Sequence, residues 1–290
     1  MRLPLRSPLV SRAVLGGAVV LASLVPPVAR AQEGGPLTLE ALLAHPFPPE
    51  ISAAPRGGAV AWVLNERGAR NIWVAAPPAY QGRRLTSYVA DDGQEISALT
   101  WEPDGTSLVF VRGGARNRAG ESPNPAQDPR GAESAVHRVS LAGGAPVRLG
   151  AGFAPSISPD GRTLLISRGK LWRRSLTDAG GDVVEWLNIR GGMSNVRWSP
   201  DGTRIAYVSG RGDHAFVAVV EVATRAVTFL SPSVDTDGAP VWSPDSKRVA
   251  FVRQPASSAL MLFKAERTGR PWSILVADVA TGSARTVWTA

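Results

Sequence analysis

Cysteine is absent from this 290-residue sequence, histidine and tyrosine each occur three times, and lysine is confined to Lys170, Lys247 and Lys264. Without cysteine there is no disulfide framework, thiolate nucleophile or cysteine-held metal, so the fold must rest on its apolar core. His45, His137 and His214 are scattered, with no H-x-x-x-H spacing, which excludes the common histidine-based metal motifs. No glycine-rich loop followed by lysine is present to cradle phosphate, and no Gly-x-Ser-x-Gly elbow presents a serine nucleophile. No metal, cofactor or catalytic group is therefore expected. Long acidic or basic runs are missing too. The formal charge is +8, but Arg2, Arg6, Arg12 and Arg30 in the first 31 residues carry half of it. The other arginines are scattered and do not form a stripe, so the basicity does not point to nucleic acid.

Long hydrophobic runs are also lacking. The one candidate, Ala13 to Val25, is too short to span a bilayer, which needs about 20 apolar residues. Basic residues precede it, Pro26 and Pro27 break it, and Ala29-Arg30-Ala31 follows with small residues at the two positions that a signal peptidase reads. The expectation is a signal peptide over residues 1–31, export to the periplasm or medium of a bacterium, and no membrane span once the leader is cleaved.

What the sequence does contain is a repeat. LTWEPDGTSLVFVRG from Leu99, PSISPDGRTLLISRG from Pro155, VRWSPDGTRIAYVSG from Val196 and PVWSPDSKRVAFVRQ from Pro240 align, with a worn copy, ISAAPRGGAVAWVLN, from Ile51. Their prolines, Pro55, Pro103, Pro159, Pro200 and Pro244, stand 48, 56, 41 and 44 residues apart, near the period of a propeller blade. In each copy an apolar strand runs into a Ser-Pro-Asp-Gly-like turn. Proline presets φ, aspartate bonds its own backbone and glycine takes the left-handed region. A strongly β-prone second strand follows, then a third and a short fourth. Four strands per unit predict an all-β propeller of about five blades, over roughly 51–90, 96–150, 153–190, 194–231 and 238–290. A β-sandwich also has regularly spaced short strands but does not require the same turn peptide in each unit. Asp104, Asp160, Asp201 and Asp245 are accordingly read as turn-formers. Trp101, Trp198 and Trp242, at one repeat position, are read as blade packing.

The departures from the repeat mark the candidate functional places. Residues 32–50 form a lead-in, with a short helix predicted over 37–44 from the Thr38 cap and the Leu39, Leu42 and Leu43 face. The second unit carries an insert from Gly113 to Ser134, rich in Gly, Pro, Asn and Arg. The fourth has Gly210-Arg211-Gly212-Asp213-His214, and the fifth has Pro255 to Pro271, at the same structural place. All three join the second strand to the third and so leave one face of the propeller. Arg112, Arg116, Asn117, Arg211, Asp213 and His214 are the candidate substrate-facing residues there. Asp91-Asp92, before Gly93, reads as a turn between blades, and Arg211-Gly212-Asp213 is too short a match to signify adhesion.

Together these residues resemble the N-terminal propeller of prolyl oligopeptidase-type serine peptidases, in the dipeptidyl-peptidase branch. The resemblance spans nearly all of 36–290. RGDHAFVAVVEV from Arg211, SPSVDTDGAPVWSPDSKRVAFVR from Ser231 and PWSILVADVATGSARTVW from Pro271 are its more specific parts. The SPDG repeats alone are equally similar to TolB-like propellers. The resemblance implies that these five units are an open arc of a seven- or eight-bladed propeller, which caps a hydrolase domain absent from this sequence. It implies a role in gating and lining a peptide-substrate chamber, without catalysis by this part alone. The paired glutamates that hold a substrate amino terminus in that family have no counterpart here. The alternative is a stand-alone TolB-like periplasmic binding propeller.

Overall fold

The recurring tetrapeptide closes its turn by side-chain chemistry. In a computed structural model of the chain, Ser199 Oγ donates to Asp201 Oδ1 at 2.6 Å and accepts the Arg204 amide at 2.9 Å, while Asp201 Oδ1 takes the Thr203 amide at 3.0 Å. Ser158–Asp160 and Ser243–Asp245 repeat the bond at 2.5 Å. Glu102 replaces the serine in the second unit, where Asp104 still accepts the Thr106 amide at 2.9 Å. Gly105, Gly161 and Gly202 take φ of 74°, 73° and 72°, the left-handed geometry that ends the turn. The Ser158 hydroxyl and Arg162 amide hold Asp160 below the usual carboxylate range, and Ser243 and the Lys247 amide do the same for Asp245.

The structure describes residues 48–114, 121–129, 131–178, 180–255 and 271–290. The chain divides into two units, 1–43 and 44–290, and every described residue belongs to the second. The helix expected over 37–44 and the leader lie outside the described residues. The described residues form twenty strands in five antiparallel blades, each in sequence order. The first blade is β1 (Ile51–Ala53), β2 (Val60–Glu66), β3 (Ala69–Ala75) and β4 (Arg83–Arg84). The second is β5 (Ile96–Trp101), β6 (Ser107–Arg112), β7 (Ala135–Ser140) and β8 (Val147–Ala151). The third is β9 (Phe153–Ile157), β10 (Thr163–Arg168), β11 (Lys170–Ser175) and β12 (Val184–Leu187). The fourth is β13 (Gly192–Trp198), β14 (Arg204–Gly210), β15 (Ala215–Glu221) and β16 (Val227–Phe229). The fifth is β17 (Thr236–Trp242), β18 (Arg248–Gln254), β19 (Ser273–Asp278) and β20 (Ala284–Thr289). A single parallel bridge, Ala215 to Thr236, links the last two blades.

Strand alternation explains the packing. On β6, Leu108 and Phe110 join the core shared with the first blade, and Val109 and Val111 join the core shared with the third. On β10, Leu164 and Ile166 face back and Leu165 faces forward. On β14, Ile205 and Tyr207 face back, while Ala206 and Val208 share a core with Val249 and Phe251 of β18. Four cores thus join five blades in series. Among the described residues no core joins the fifth blade to the first, so the series is open. Its outer faces leave Ile51 72%, Val241 63% and Trp288 46% exposed.

The repeated tryptophans tie blade to blade. Trp101 Nε1 donates to the Ser52 carbonyl at 3.2 Å, Trp198 Nε1 to Ser156 at 3.4 Å and Trp242 Nε1 to Arg197 at 3.0 Å. Each acceptor lies on the first strand of the preceding blade. The third blade has Ile157 at this position and no indole. A second device recurs three residues upstream: Ala98, Ala154, Asn195 and Ala239 take φ of 56°, 48°, 51° and 51°, at the irregular pairing of the first two strands in four successive blades. These are β-bulges that bend the first strand. The residue after the bulge is proline at Pro155 and Pro240, which removes an amide needing a partner, and the Leu99 amide donates to Glu50 Oε1 at 2.7 Å.

Replacing Trp101 by Phe removes the indole donor from a residue only 7% exposed. The expected cost is about 1–2 kcal/mol, combining a hydrogen bond with lost ring volume, read from urea unfolding. An unchanged midpoint would show that the indole bond carries no stability.

Candidate functional site

In a blade of four antiparallel strands, the connections between strands two and three leave from the same end as the links between blades. The insert after β6 therefore meets the link between the first two blades. Gly113 opens it with φ 122°, its amide donating to the Glu95 carbonyl at 2.9 Å. A Cβ there would lie 2.5 Å from the Glu133 carbonyl oxygen, so glycine is needed for the two ends of the insert to approach. Ser134 Oγ donates to the Gly114 carbonyl at 2.6 Å and closes the base. Within the insert, Asn124 braces a turn through its Oδ1 to the Asp128 amide at 3.0 Å and its Nδ2 to the Asp128 carbonyl at 2.9 Å.

The insert and the link enclose a pocket of about 230 Å³. Asp92, Gln94, Arg112, Asn124, Asp128 and His137 contribute to its wall. Arg112 donates to Asp92 and lies 4.3 Å above the Tyr88 ring. Asp92 also accepts the Gln94 amide at 2.9 Å, and Gln94 Nε2 donates to the Pro123 carbonyl at 3.2 Å. Glu133, on the rim, takes two bonds from Arg148, from Nε at 2.6 Å and from a terminal nitrogen at 2.9 Å. Burial pushes the Tyr88 hydroxyl up, against the pull of Arg112. His137 stacks on Phe110 with centroids 5.6 Å apart, and its Nδ1 is 3.1 Å from the Ala135 carbonyl. Burial pushes this imidazole down, the Ala135 carbonyl opposes the shift, and Arg112 and Arg148 add to it. The pocket is small, below the roughly 300 Å³ of a drug-sized site, and suits one residue or a chain terminus.

The six residues singled out in the sequence are not brought together as one group. Arg112 lines the pocket, and Arg116 and Asn117 lie outside the described residues. Arg211, Asp213 and His214 sit on the hairpin between β14 and β15 of another blade. There His214 Nδ1 and Asp213 Oδ1 are 2.6 Å apart, His214 meets the Phe216 ring edge-on at 4.8 Å, and the Arg211 guanidinium lies 5.7 Å from the Phe229 ring. The His214 bond holds the Asp213 carboxyl below its usual range. The Arg-Gly-Asp tripeptide is the hairpin tip, its Arg211 amide donating to the His214 carbonyl at 2.9 Å. Sequence reasoning missed Asp92, Gln94, Asn124, Asp128 and the placement of His137. The signal for Asp92 was available: links between blades share a face with the inserts.

The same end of the fifth blade holds a buried ion pair. Arg253 donates from Nε to Asp237 Oδ1 at 2.7 Å and from a terminal nitrogen to Oδ2 at 2.9 Å, and it also reaches the Ser231 carbonyl at 2.6 Å. Burial pushes the Asp237 carboxyl up while Arg253 opposes it. This pair fastens the link from the fourth blade and lines no cavity described above.

The lowered value of His137 has a definite sign. The folded state binds its proton more weakly than the unfolded chain, so stability from this group is complete above 6.5 and declines as pH falls toward the folded value. An NMR titration is expected to place His137 below 6.5, and His137→Gln should flatten the stability profile between about pH 7 and 5. A midpoint above 6.5 would contradict the burial of this ring.

Solved structures share this fold. A protein assigned as TolB from Agrobacterium tumefaciens superposes with a TM-score of 0.51 at 19% identity, over 83% of this chain and 81% of that one. TolB from Acinetobacter baumannii gives 0.53 at 19%, over 79% of this chain and 52% of that one. A puromycin-hydrolyzing peptidase from Mycobacterium tuberculosis gives 0.53 at 14%, over 81% of this chain and 44% of that one. The chain therefore spans about half the length of the second TolB and less than half of the peptidase. At these identities the likeness is one of fold, and it includes both groups that the repeats resembled. Residues 44–234 match the domain described as the lipoprotein LpqB β-propeller. The chain belongs to the LpqB β-propeller family.

Proposed function

We propose that this chain is the propeller part of an exported, envelope-located serine peptidase-like protein, and that its insert-bearing face lines and gates a peptide chamber while a separate hydrolase domain cuts. The carrying observation is the Arg112–Asp92 pocket, built where an insert and a link between blades meet on one face. Its size suits the end of a peptide, and its mixed acid, base and amide groups match the hydrogen-bonding groups of a peptide backbone. The peptidase likeness supports this assignment, and the lipoprotein description of the family supports the envelope location. Arg211, Asp213 and His214, on the hairpin between β14 and β15, would extend the chamber wall beyond Arg112, and the sequence adds Arg116 and Asn117, outside the described residues, to the same proposal.

Calorimetric titration with X-Ala and X-Pro dipeptides tests the proposal. Binding is expected, weakened about tenfold in Arg112→Gln through loss of a charge-assisted hydrogen bond. Chromogenic X-Pro and X-Ala substrates should stay intact. Turnover by the purified chain, or dipeptide binding indifferent to Arg112, would overturn it. A second reading, a stand-alone binding propeller, is favoured by the 81% coverage of the Agrobacterium protein. It predicts no dipeptide binding and a folded, cooperative monomer.

A further inference from the structure

The repeat provides an internal control that isolates one side chain. At the third-strand position opposite the forward-facing residue of the second strand, the five blades carry Val74, Arg138, Arg173, Val219 and Val276. The two arginines thus occupy equivalent places, each on the face turned to the next blade. Arg138 is neutralised within its own blade: a terminal nitrogen donates to Glu102 Oε2 at 2.7 Å, and Nε lies 2.6 Å from Oε1. Glu102 is only 5% exposed. In the third blade the residue in register with Glu102 is Ser158, whose hydroxyl is engaged by Asp160. The side chain of Arg173, an exposed residue, has no hydrogen-bond or ion-pair partner among the described residues.

A hollow is present at both places, about 290 Å³ beside Glu102 and larger where that carboxylate is missing. A cavity of about 420 Å³ lies between the third and fourth blades, within the range of small-ligand sites. Arg173 and Ser158 line it, with the Trp186 and Trp198 side chains and Leu165 as apolar wall. The two turn aspartates at the rim do not take the arginine. Asp160 is committed to Ser158 and the Arg162 amide, and Asp201 to Ser199 and Thr203. The cavity opens at the Ser-Pro-Asp-Gly end of the strands, opposite the insert-lined pocket, and does not depend on the function proposed for that face.

We propose that this cavity binds a small carboxylate with an apolar, ring-sized body. Arg173 takes the carboxylate by a charge-assisted hydrogen bond and ion pair, as Arg138 takes Glu102, and the indoles of Trp186 and Trp198 flank the body. The ligand supplies from outside the group that the second blade encodes.

Calorimetry on the full chain with 3-phenylpropionate and its neutral amide tests this. The acid is expected to bind at least about tenfold more tightly than the amide, because only the acid offers Arg173 a charge. Arg173→Gln should reduce the acid to the level of the amide. Ser158→Glu, which restores the second-blade pairing in cis, should do the same by occupying the guanidinium. Circular dichroism confirms folding, and Arg173→Gln decides alone if Ser158→Glu does not fold. Equal binding of acid and amide, no binding of the acid by the folded protein, or acid binding unchanged in Arg173→Gln would overturn the proposal.

Discussion

A blade of four strands is a single layer with two apolar faces, and neither face can be buried within the blade. Everything else in this structure follows from stacking one blade on the next. The second strand shows the constraint most directly, because its alternate residues belong to two different cores. Val109 and Phe110 are adjacent in sequence and both fully buried, yet they lie in different cores. Burying a residue of this size contributes about 1.5–3 kcal/mol, so the apolar faces supply the bulk of the stability. The indole bonds of Trp101, Trp198 and Trp242 contribute less but are directional, and they fix where each inner strand sits against the last. This architecture is a repeat array in which each unit depends on its neighbours.

The two ends of the strands then have different tasks. The Ser-Pro-Asp-Gly end is short and self-bonded, with each aspartate committed to its own turn. The opposite end accepts length, and there the insert folds over the link between the first two blades and places Arg112 beside Asp92. The pocket on that face is built from loops. The cavity at the other end arises from the repeat itself, through an arginine at 173 in a unit that keeps the usual serine, Ser158, where the second blade has Glu102. A repeat can thus generate a site either by adding residues or by breaking a pairing that a sister unit keeps.

Much of the fold was legible because turn peptide and alternation are local signals. Pro200-Asp201-Gly202 and the run from Ile205 to Val208 locate a turn and a strand without tertiary information. The bulges were not legible, because Ala98, Ala154 and Ala239 carry no mark of a left-handed backbone. That conformation costs an ordinary residue about 1–2 kcal/mol and is held by the surrounding strands. The sequence traces are Asn195, a residue that tolerates the left-handed region, and proline at 155 and 240, where an amide would otherwise need a partner. The candidate site was legible in part. Arg112 could be picked out because it flanks the insert, but Asp92 looked like a turn residue and acquires its role only when two blades meet. Arg173 is invisible until the blades are set in register and its missing partner is seen at Ser158.

Serial stacking predicts unequal protection along the array. The second, third and fourth blades are covered on both faces, whereas the first and fifth each meet one neighbour, so local opening should be easier at the ends. Native-state hydrogen exchange is the direct measurement. Amides of β6, β10 and β14 should exchange slowest, and those of β2 and β18 faster. Equal protection of the second strands in all five blades would contradict the open series and require the fifth blade to close on the first.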